Sequence, residues 1–127
     1  MGCICSKKNV PPFDPRLPVC YQELNKTFDN DKDFIYNLVK QGNEEFLKSI
    51  ESMLETVSTQ GLVNLDSLKL HCHSIKGSAA TITCFRLSDM AKNLEEILDN
   101  QTNSKIVIKH LNFMKTEITE ILNTKQK

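Results

Sequence analysis

The four prolines of this chain all lie within its first 18 residues, and their placement limits the fold more than any other sequence feature. They are Pro11, Pro12, Pro15 and Pro18. Proline holds the backbone extended and prevents a regular helix in this segment. From Tyr21 onward proline is absent and apolar residues recur every three or four positions, which is typical of amphipathic helices. We therefore predict a flexible tether over residues 1–19 and a helical domain over residues 20–127.

The proline-free part of the chain accommodates four amphipathic helices joined by short links. We predict them over residues 31–59, 64–83, 85–100 and 104–122, with a short additional helix over 21–28. The apolar stripe of the first is Phe34, Leu38, Gly42, Phe46, Ile50, Met53 or Leu54, and Val57. The stripe of the second is Leu65, Leu68, Cys72, Ile75, Ala79 and Ile82. The third carries Leu87, Met90 or Ala91, Leu94 and Leu98, and the fourth carries Val107, Leu111, Met114, Ile118 and Ile121. No alternating strand pattern appears, so we predict an all-α fold, an antiparallel four-helix bundle with a short extra N-terminal helix.

Length and composition indicate a single soluble domain. A chain of 127 residues forms one compact core, so we expect one functional site. Sixteen basic residues balance sixteen acidic ones, so no overall charge attracts nucleic acid and no such partner is expected. Five cysteines without regular spacing, and no secretory signal before them, indicate the reducing cytosol. We expect a monomer that holds no metal ion.

His73 lies on the side of the second long helix that faces away from the apolar stripe. At about 100° per residue, its imidazole should project into solvent. Asp66, Lys69, Lys76, Gly77 and Ala80 lie within about 60° of it. An exposed neutral imidazole is a good nucleophile toward phosphorus and needs no activating base. His71 lies about 160° away around the helix, so we assign it a buried or edge packing role.

The neighbours of His73 suit a phosphoryl acceptor. Lys76, one turn later, would place a cation beside a transferred phosphoryl group. Gly77 costs about 1 kcal/mol relative to alanine in a helix, and clearance for a partner's loops is a reason for that cost. The other predicted partner contacts are Asp66, Lys69 and Ala80.

The segment from His73 to Ala80 resembles the His-x-x-Lys-Gly-Ser signature of histidine-containing phosphotransfer (HPt) domains. The similarity continues through Arg86 and Leu87 and extends over most of the chain. It implies a four-helix bundle with the histidine exposed midway along one helix. The family usually has glycine where this chain has Thr83, so the turn at that point must form without it.

The resemblance also implies a phosphocarrier in a multistep His-Asp phosphorelay. His73 would accept a phosphoryl group from an aspartate on one receiver domain and pass it to another receiver domain. The partners would be the receiver domains of hybrid histidine kinases and of response regulators. Such a carrier is not an enzyme and has no cofactor of its own, because the Mg²⁺ and its acidic pocket belong to the partner.

The first six residues fit the pattern for myristoylation of Gly2. Cys3 and Cys5 are then candidate palmitoylation sites, since one myristoyl chain alone binds membranes only weakly. Neither cysteine has a second Cys or His pair at zinc-site spacing. The acylation pattern predicts a lipid-anchored protein at the cytoplasmic face of the plasma membrane, with room for a cytosolic pool. The alternative is a tail that matches the pattern by chance.

Two other functions remain open at this point. A membrane-tethered helical adaptor would keep the bundle but no longer transfer phosphate, and the presence of His73, Lys76 and Gly77 disfavours that loss. The phosphoacceptor region of a histidine kinase should carry an acidic residue directly after its histidine. Ser74 follows His73 here, so the phosphocarrier is the better interpretation.

Overall fold

Five helices, with the short segments that precede and connect them, make up the part of the chain that the computed structural model describes, residues 17–100 and 103–123. The helices are α1 (Tyr21–Thr27), α2 (Lys32–Gln60), α3 (Leu65–Thr81), α4 (Phe85–Asp99) and α5 (Ser104–Asn123). No strand occurs in these residues. The predicted helix bounds agree with the observed ones to within about two residues, the usual uncertainty at helix ends. None of these helices is both long and apolar enough to span a membrane.

The four long helices form an antiparallel bundle, as predicted. Around the bundle, α2 packs against α3, α3 against α4, α4 against α5, and α5 against α2, while the short α1 packs on α2. The pairs α3–α4 and α2–α5 are the most extensive, and α2 and α3 pack much less closely. Within the described residues α3 and α5 make no pair contact, so they lie diagonally opposite each other.

The core confirms the predicted stripes of α3, α4 and α5 and corrects that of α2. The first half of α2 buries Ile35, Val39 and Asn43, each one position later than predicted. Phe34 is instead 48% exposed, and its ring packs against that of Phe28 in the preceding turn, with centroids 5.1 Å apart. Both series of residues have helical spacing, so spacing alone does not distinguish them. From Phe46 onward the predicted stripe is correct.

The turn between α3 and α4 forms without glycine. Thr83 adopts φ +60°, a left-handed conformation that costs a β-branched residue about 1 to 2 kcal/mol. Two hydrogen bonds to Cys20 compensate for this cost. Thr83 Oγ1 donates to the Cys20 carbonyl at 3.0 Å, and the Cys20 amide donates to the Thr83 carbonyl at 3.2 Å. Val19, which we had assigned to the tether, is buried beside Cys20, so the segment leading into α1 is attached to the end of α3.

The turn and the tightly packed residues of α2 beside it form a region that we call the turn end. It consists of Gly42, Asn43, Ile82, Thr83 and Cys84. The Asn43 amide donates to the Val39 carbonyl at 2.9 Å and lies 3.6 Å from Cys84 Sγ. Burial raises the pKa of Cys84 to about 12, so this thiol stays protonated.

An ion pair joins the beginning of α4 to α5. Arg86 Nη2 lies 2.6 Å from Glu117 Oε1 and 3.3 Å from Glu120 Oε1. Glu117 is 3% exposed, and burial raises the pKa of its carboxyl while the Arg86 guanidinium lowers it. Glu117 was not predicted to be buried, because a charged residue on an apolar stripe is recognised only when its partner on another helix is known.

Candidate functional site

His73 projects from the middle of α3 into solvent. Its side chain is 65% exposed, while Cys72 and Ile75 on either side of it are buried in the core. These buried neighbours fix the rotation of α3 about its axis and therefore the direction of His73. The outward orientation predicted for His73 is confirmed.

The surface around His73 along the axis of α3 carries one charged side chain, Asp66, and otherwise small or apolar side chains. We call it the open face, and it consists of Asp66, Leu70, His73, Gly77 and Ala80, all of them exposed. A β-carbon added at Gly77 would meet no atom within 4 Å. Packing inside the protein therefore does not require glycine at this position.

Glu95 on α4 contacts both His73 and Lys76. Its Oε2 lies 3.3 Å from His73 Nδ1, and its Oε1 accepts a hydrogen bond from Lys76 Nζ at 3.1 Å. The Glu95 side chain is half-buried. The sequence pattern did not single out Glu95 as part of the site. Its position directly after the buried Leu94 places it beside the core stripe of α4, but its role depends on the packing of α4 against α3.

A second ion pair crosses the same helix boundary. Lys69 Nζ lies 2.7 Å from Asp99 Oδ1, and this interaction raises the pKa of Lys69 above its ordinary value. Both lysines predicted near His73 are therefore already paired with carboxylates of α4. Asp66, at the beginning of α3, remains exposed.

Further contacts hold α3 in place on both sides of the site. Ser88 Oγ donates to the Lys76 carbonyl at 2.8 Å, which ties α4 to the backbone of α3. On the other side, His71 Nδ1 lies 3.3 Å from Ser49 Oγ of α2. His71 is exposed and makes an edge contact, so a buried position is wrong and the edge position is correct.

The described residues contain no group of three or more His, Cys, Asp and Glu side chains arranged to hold a metal ion. Burial raises the pKa of Cys72 to about 12, and the Glu95 carboxylate adds to this effect. A protonated, buried thiol next to His73 is not a nucleophile. Gly2, Cys3 and Cys5, the predicted acylation sites, lie outside the described residues.

Comparison with known protein families assigns this bundle to a family. The model of the Hpt domain family matches residues 35–124, which is most of the chain. This chain belongs to the Hpt domain family. As an Hpt domain it is a histidine phosphotransfer carrier of phosphorelays, which work through receiver domains. Searches of curated proteins and of solved structures give no match.

Proposed function

We propose that His73 carries the phosphoryl group and that its Nε2 is the acceptor atom. The contact between His73 Nδ1 and Glu95 supports this assignment. A carboxylate attracts an N–H group and repels a lone pair, so Glu95 favours the tautomer with its proton on Nδ1. That tautomer leaves the lone pair on Nε2 available for attack.

Phosphoryl transfer needs only the two proteins and the metal ion of the receiver. As the bond from Nε2 to phosphorus forms, the bond from phosphorus to the aspartate oxygen of the receiver breaks. The aspartate leaves as a carboxylate with the electron pair. The imidazole ring becomes cationic, and Glu95 stabilises that charge through Nδ1. Transfer to a second receiver reverses these changes.

Lys76 and the partner stabilise the charge on the phosphoryl group. Lys76 Nζ is held 3.1 Å from Glu95 Oε1, one turn from His73 on the same helix. We place Mg²⁺ and the acidic pocket that would bind it in the receiver, where the metal would stabilise negative charge on the reacting phosphoryl group. Gly77 and Ala80 leave room for the receiver loops that bring this pocket to His73.

The test is transfer from a phosphorylated receiver domain to the purified protein. We expect acid-labile, base-stable phosphate on the wild type and none on His73→Gln. His71→Gln is the matched control, because it removes a second exposed histidine of α3 and should keep the label. Absence of label on the wild type, or label that persists in His73→Gln, would refute the assignment and favour the adaptor.

The role of Glu95 is tested separately from that of His73. In Glu95→Gln we expect slower transfer and a change in the tautomer balance of His73, measured by nitrogen NMR of the imidazole. Glu96→Gln, at the adjacent exposed position, is the control and should leave both unchanged. An unchanged tautomer balance in Glu95→Gln would show that Glu95 does not position the ring.

We also propose that the amino terminus anchors the protein to the membrane through a myristoyl chain on Gly2 and palmitoyl chains on Cys3 and Cys5. The pattern of the first six residues supports this proposal. Exchange of phosphate would then take place at the cytoplasmic face of the plasma membrane. Replacement of Gly2 by alanine should release the protein from membrane fractions. An unchanged distribution would refute the anchor and leave the phosphocarrier intact.

A further inference from the structure

Leu70 is the most exposed large apolar side chain in residues 17–100 and 103–123, at 69%. It lies one turn before His73 on the open face. A single exposed leucine is common on protein surfaces and needs no explanation by itself. Leu70 is of interest because of its position, since residues one turn apart on a helix are direct neighbours and Leu70 therefore lies beside His73.

The two sides of His73 differ in chemistry. The side toward α4 is charged, and its cations are paired, Lys69 with Asp99 and Lys76 with Glu95. Around the helix axis, Leu70 lies about 60° from His73 on the opposite side, toward α2. The contact between His71 and Ser49 of α2 confirms the direction of that side.

The apolar side is also the more accessible one. Helices α2 and α3 pack less closely than α3 and α4, so the surface beside Leu70 is not closed by a neighbouring helix. Leu70 and Gly77 lie on this side and extend along about 10 Å of α3, while Ala80 and the charged Asp66 each lie within about 20° of His73. Val63, 68% exposed in the turn before α3, adds apolar surface at its beginning.

A receiver domain whose aspartate reaches His73 would lie over Leu70, its exposed neighbour one turn away on the same helix. We propose that Leu70 is a specificity-determining contact for the receiver domain, and that the matching receiver carries an apolar patch next to its acceptor aspartate. This inference rests on the proposed role of His73. A receiver with a charged or polar group at the matching position would have that group buried without a partner, which disfavours the complex. The paired lysines on the other side offer less discrimination, because a partner must first displace Asp99 or Glu95.

The experiment compares Leu70→Ser with Phe113→Ser in transfer from a phosphorylated receiver. Phe113 is the matched control, since it is 54% exposed on α5, diagonally opposite α3. We expect Leu70→Ser to lower the second-order transfer rate by about tenfold, the effect of losing one buried leucine contact. Phe113→Ser should transfer like the wild type. Because the contact is apolar, the loss should persist at about 0.5 M salt.

Direct chemical phosphorylation by phosphoramidate separates recognition from chemistry. We expect Leu70→Ser to accept phosphate from this small donor at the wild-type rate and to unfold at the wild-type urea concentration, since Leu70 is exposed. Transfer from the receiver within about twofold of the wild type would overturn the inference while leaving the acceptor role of His73 standing. Absence of receiver-dependent label on the wild type would overturn both.

Discussion

Gly42 and Gly77 both lie inside long helices, but other side chains crowd Gly42 whereas the space beside Gly77 is open. At the turn end, a β-carbon on Gly42 would lie 2.9 Å from Ile82 Cδ1, closer than such contacts normally are. On the open face, a β-carbon on Gly77 would meet no atom within 4 Å. Each glycine lowers helix stability by about 1 kcal/mol relative to alanine. The protein itself uses the space at Gly42, whereas the space at Gly77 serves nothing inside the fold.

This comparison distinguishes residues that hold the bundle together from residues kept for a partner. At the turn end, side chains fill the available space, and the polar groups of Asn43 and Thr83 bond to backbone carbonyls. On the open face, small or apolar side chains remain exposed beside His73. Substitutions at the turn end should therefore alter stability, and substitutions on the open face should alter transfer.

The largest effect is expected from a bulky residue at Gly77. In Gly77→Leu the side chain would occupy space that the receiver needs, and we expect transfer to fall by about 10- to 100-fold, as overpacking costs roughly 1–3 kcal/mol. Stability should not fall, because leucine is the better helix former. Transfer assays and urea unfolding measure the two quantities.

The matched control for Gly77→Leu is Ser78→Leu. Ser78 is exposed on the same helix but lies about 140° from His73, away from the open face. Ser78→Leu should transfer phosphate like the wild type. Equal losses of transfer in the two variants would remove the distinction between the open face and the rest of α3.

The next largest effect is expected on stability, from substitutions of Thr83 at the turn end. Thr83→Val keeps the strained left-handed conformation but loses the hydrogen bond to the Cys20 carbonyl, and we expect a loss of about 1–2 kcal/mol in unfolding free energy. Thr83→Gly loses the same bond but relieves the strain, so it should stay within about 1 kcal/mol of the wild type. Urea unfolding of the three proteins measures the difference. A valine variant as stable as the wild type would show that the hydroxyl does not stabilise the turn.

Alanine at the two glycines gives the sharpest form of the comparison. Gly77→Ala should raise the unfolding free energy by about 1 kcal/mol, because alanine favours the helix and meets open space. Gly42→Ala gains the same helix preference but forces Ile82 to move, so we expect it to be about 1–2 kcal/mol less stable than Gly77→Ala. Thermal and urea unfolding check both values. Equal stability of the two variants would mean that Ile82 moves aside at no cost.

The smallest effect concerns Glu117, where α4 meets α5 close to the turn end. Burial raises its pKa above the ordinary value of 4.5, so the folded protein binds this proton more tightly than the unfolded chain does. Stability from this group is therefore lost as pH rises above about 4.5. Relative to Glu117→Gln, which cannot titrate, the wild type should become less stable as pH rises from about 4.5. The opposite trend would mean that Arg86 lowers the pKa more than burial raises it.

The sequence was sufficient to predict the helices and most of the core, because amphipathic spacing is a local property. It also oriented His73, since the stripe through Cys72 and Ile75 determines which side of α3 is exposed. Spacing was not sufficient in the first half of α2, where two adjacent series of residues fit a helix equally well. There Phe34 packs against Phe28 of the preceding turn and not in the core, a contact that spacing within one helix does not specify.

Contacts between helices were the part that the sequence did not reveal. Glu95 and Asp99 belong to the site only because α4 packs against α3, and periodicity within one helix does not specify its neighbour. The turn at Thr83 is a similar case. Its left-handed conformation is supported by hydrogen bonds to Cys20, a residue far away in the chain. The sequence shows that glycine is missing at this turn, but it does not show these bonds.

The bonds between Cys20 and Thr83 also limit how far the protein can move if its amino terminus is held at a membrane. Because Val19 and Cys20 are fixed against the bundle, the reach from an anchor at Gly2 is limited to the length of residues 2–19. From Gly2 to Val19 a fully extended chain spans at most about 60 Å. An acylated carrier would then search for receivers within a thin layer at the membrane, where its effective concentration greatly exceeds that of a freely diffusing copy.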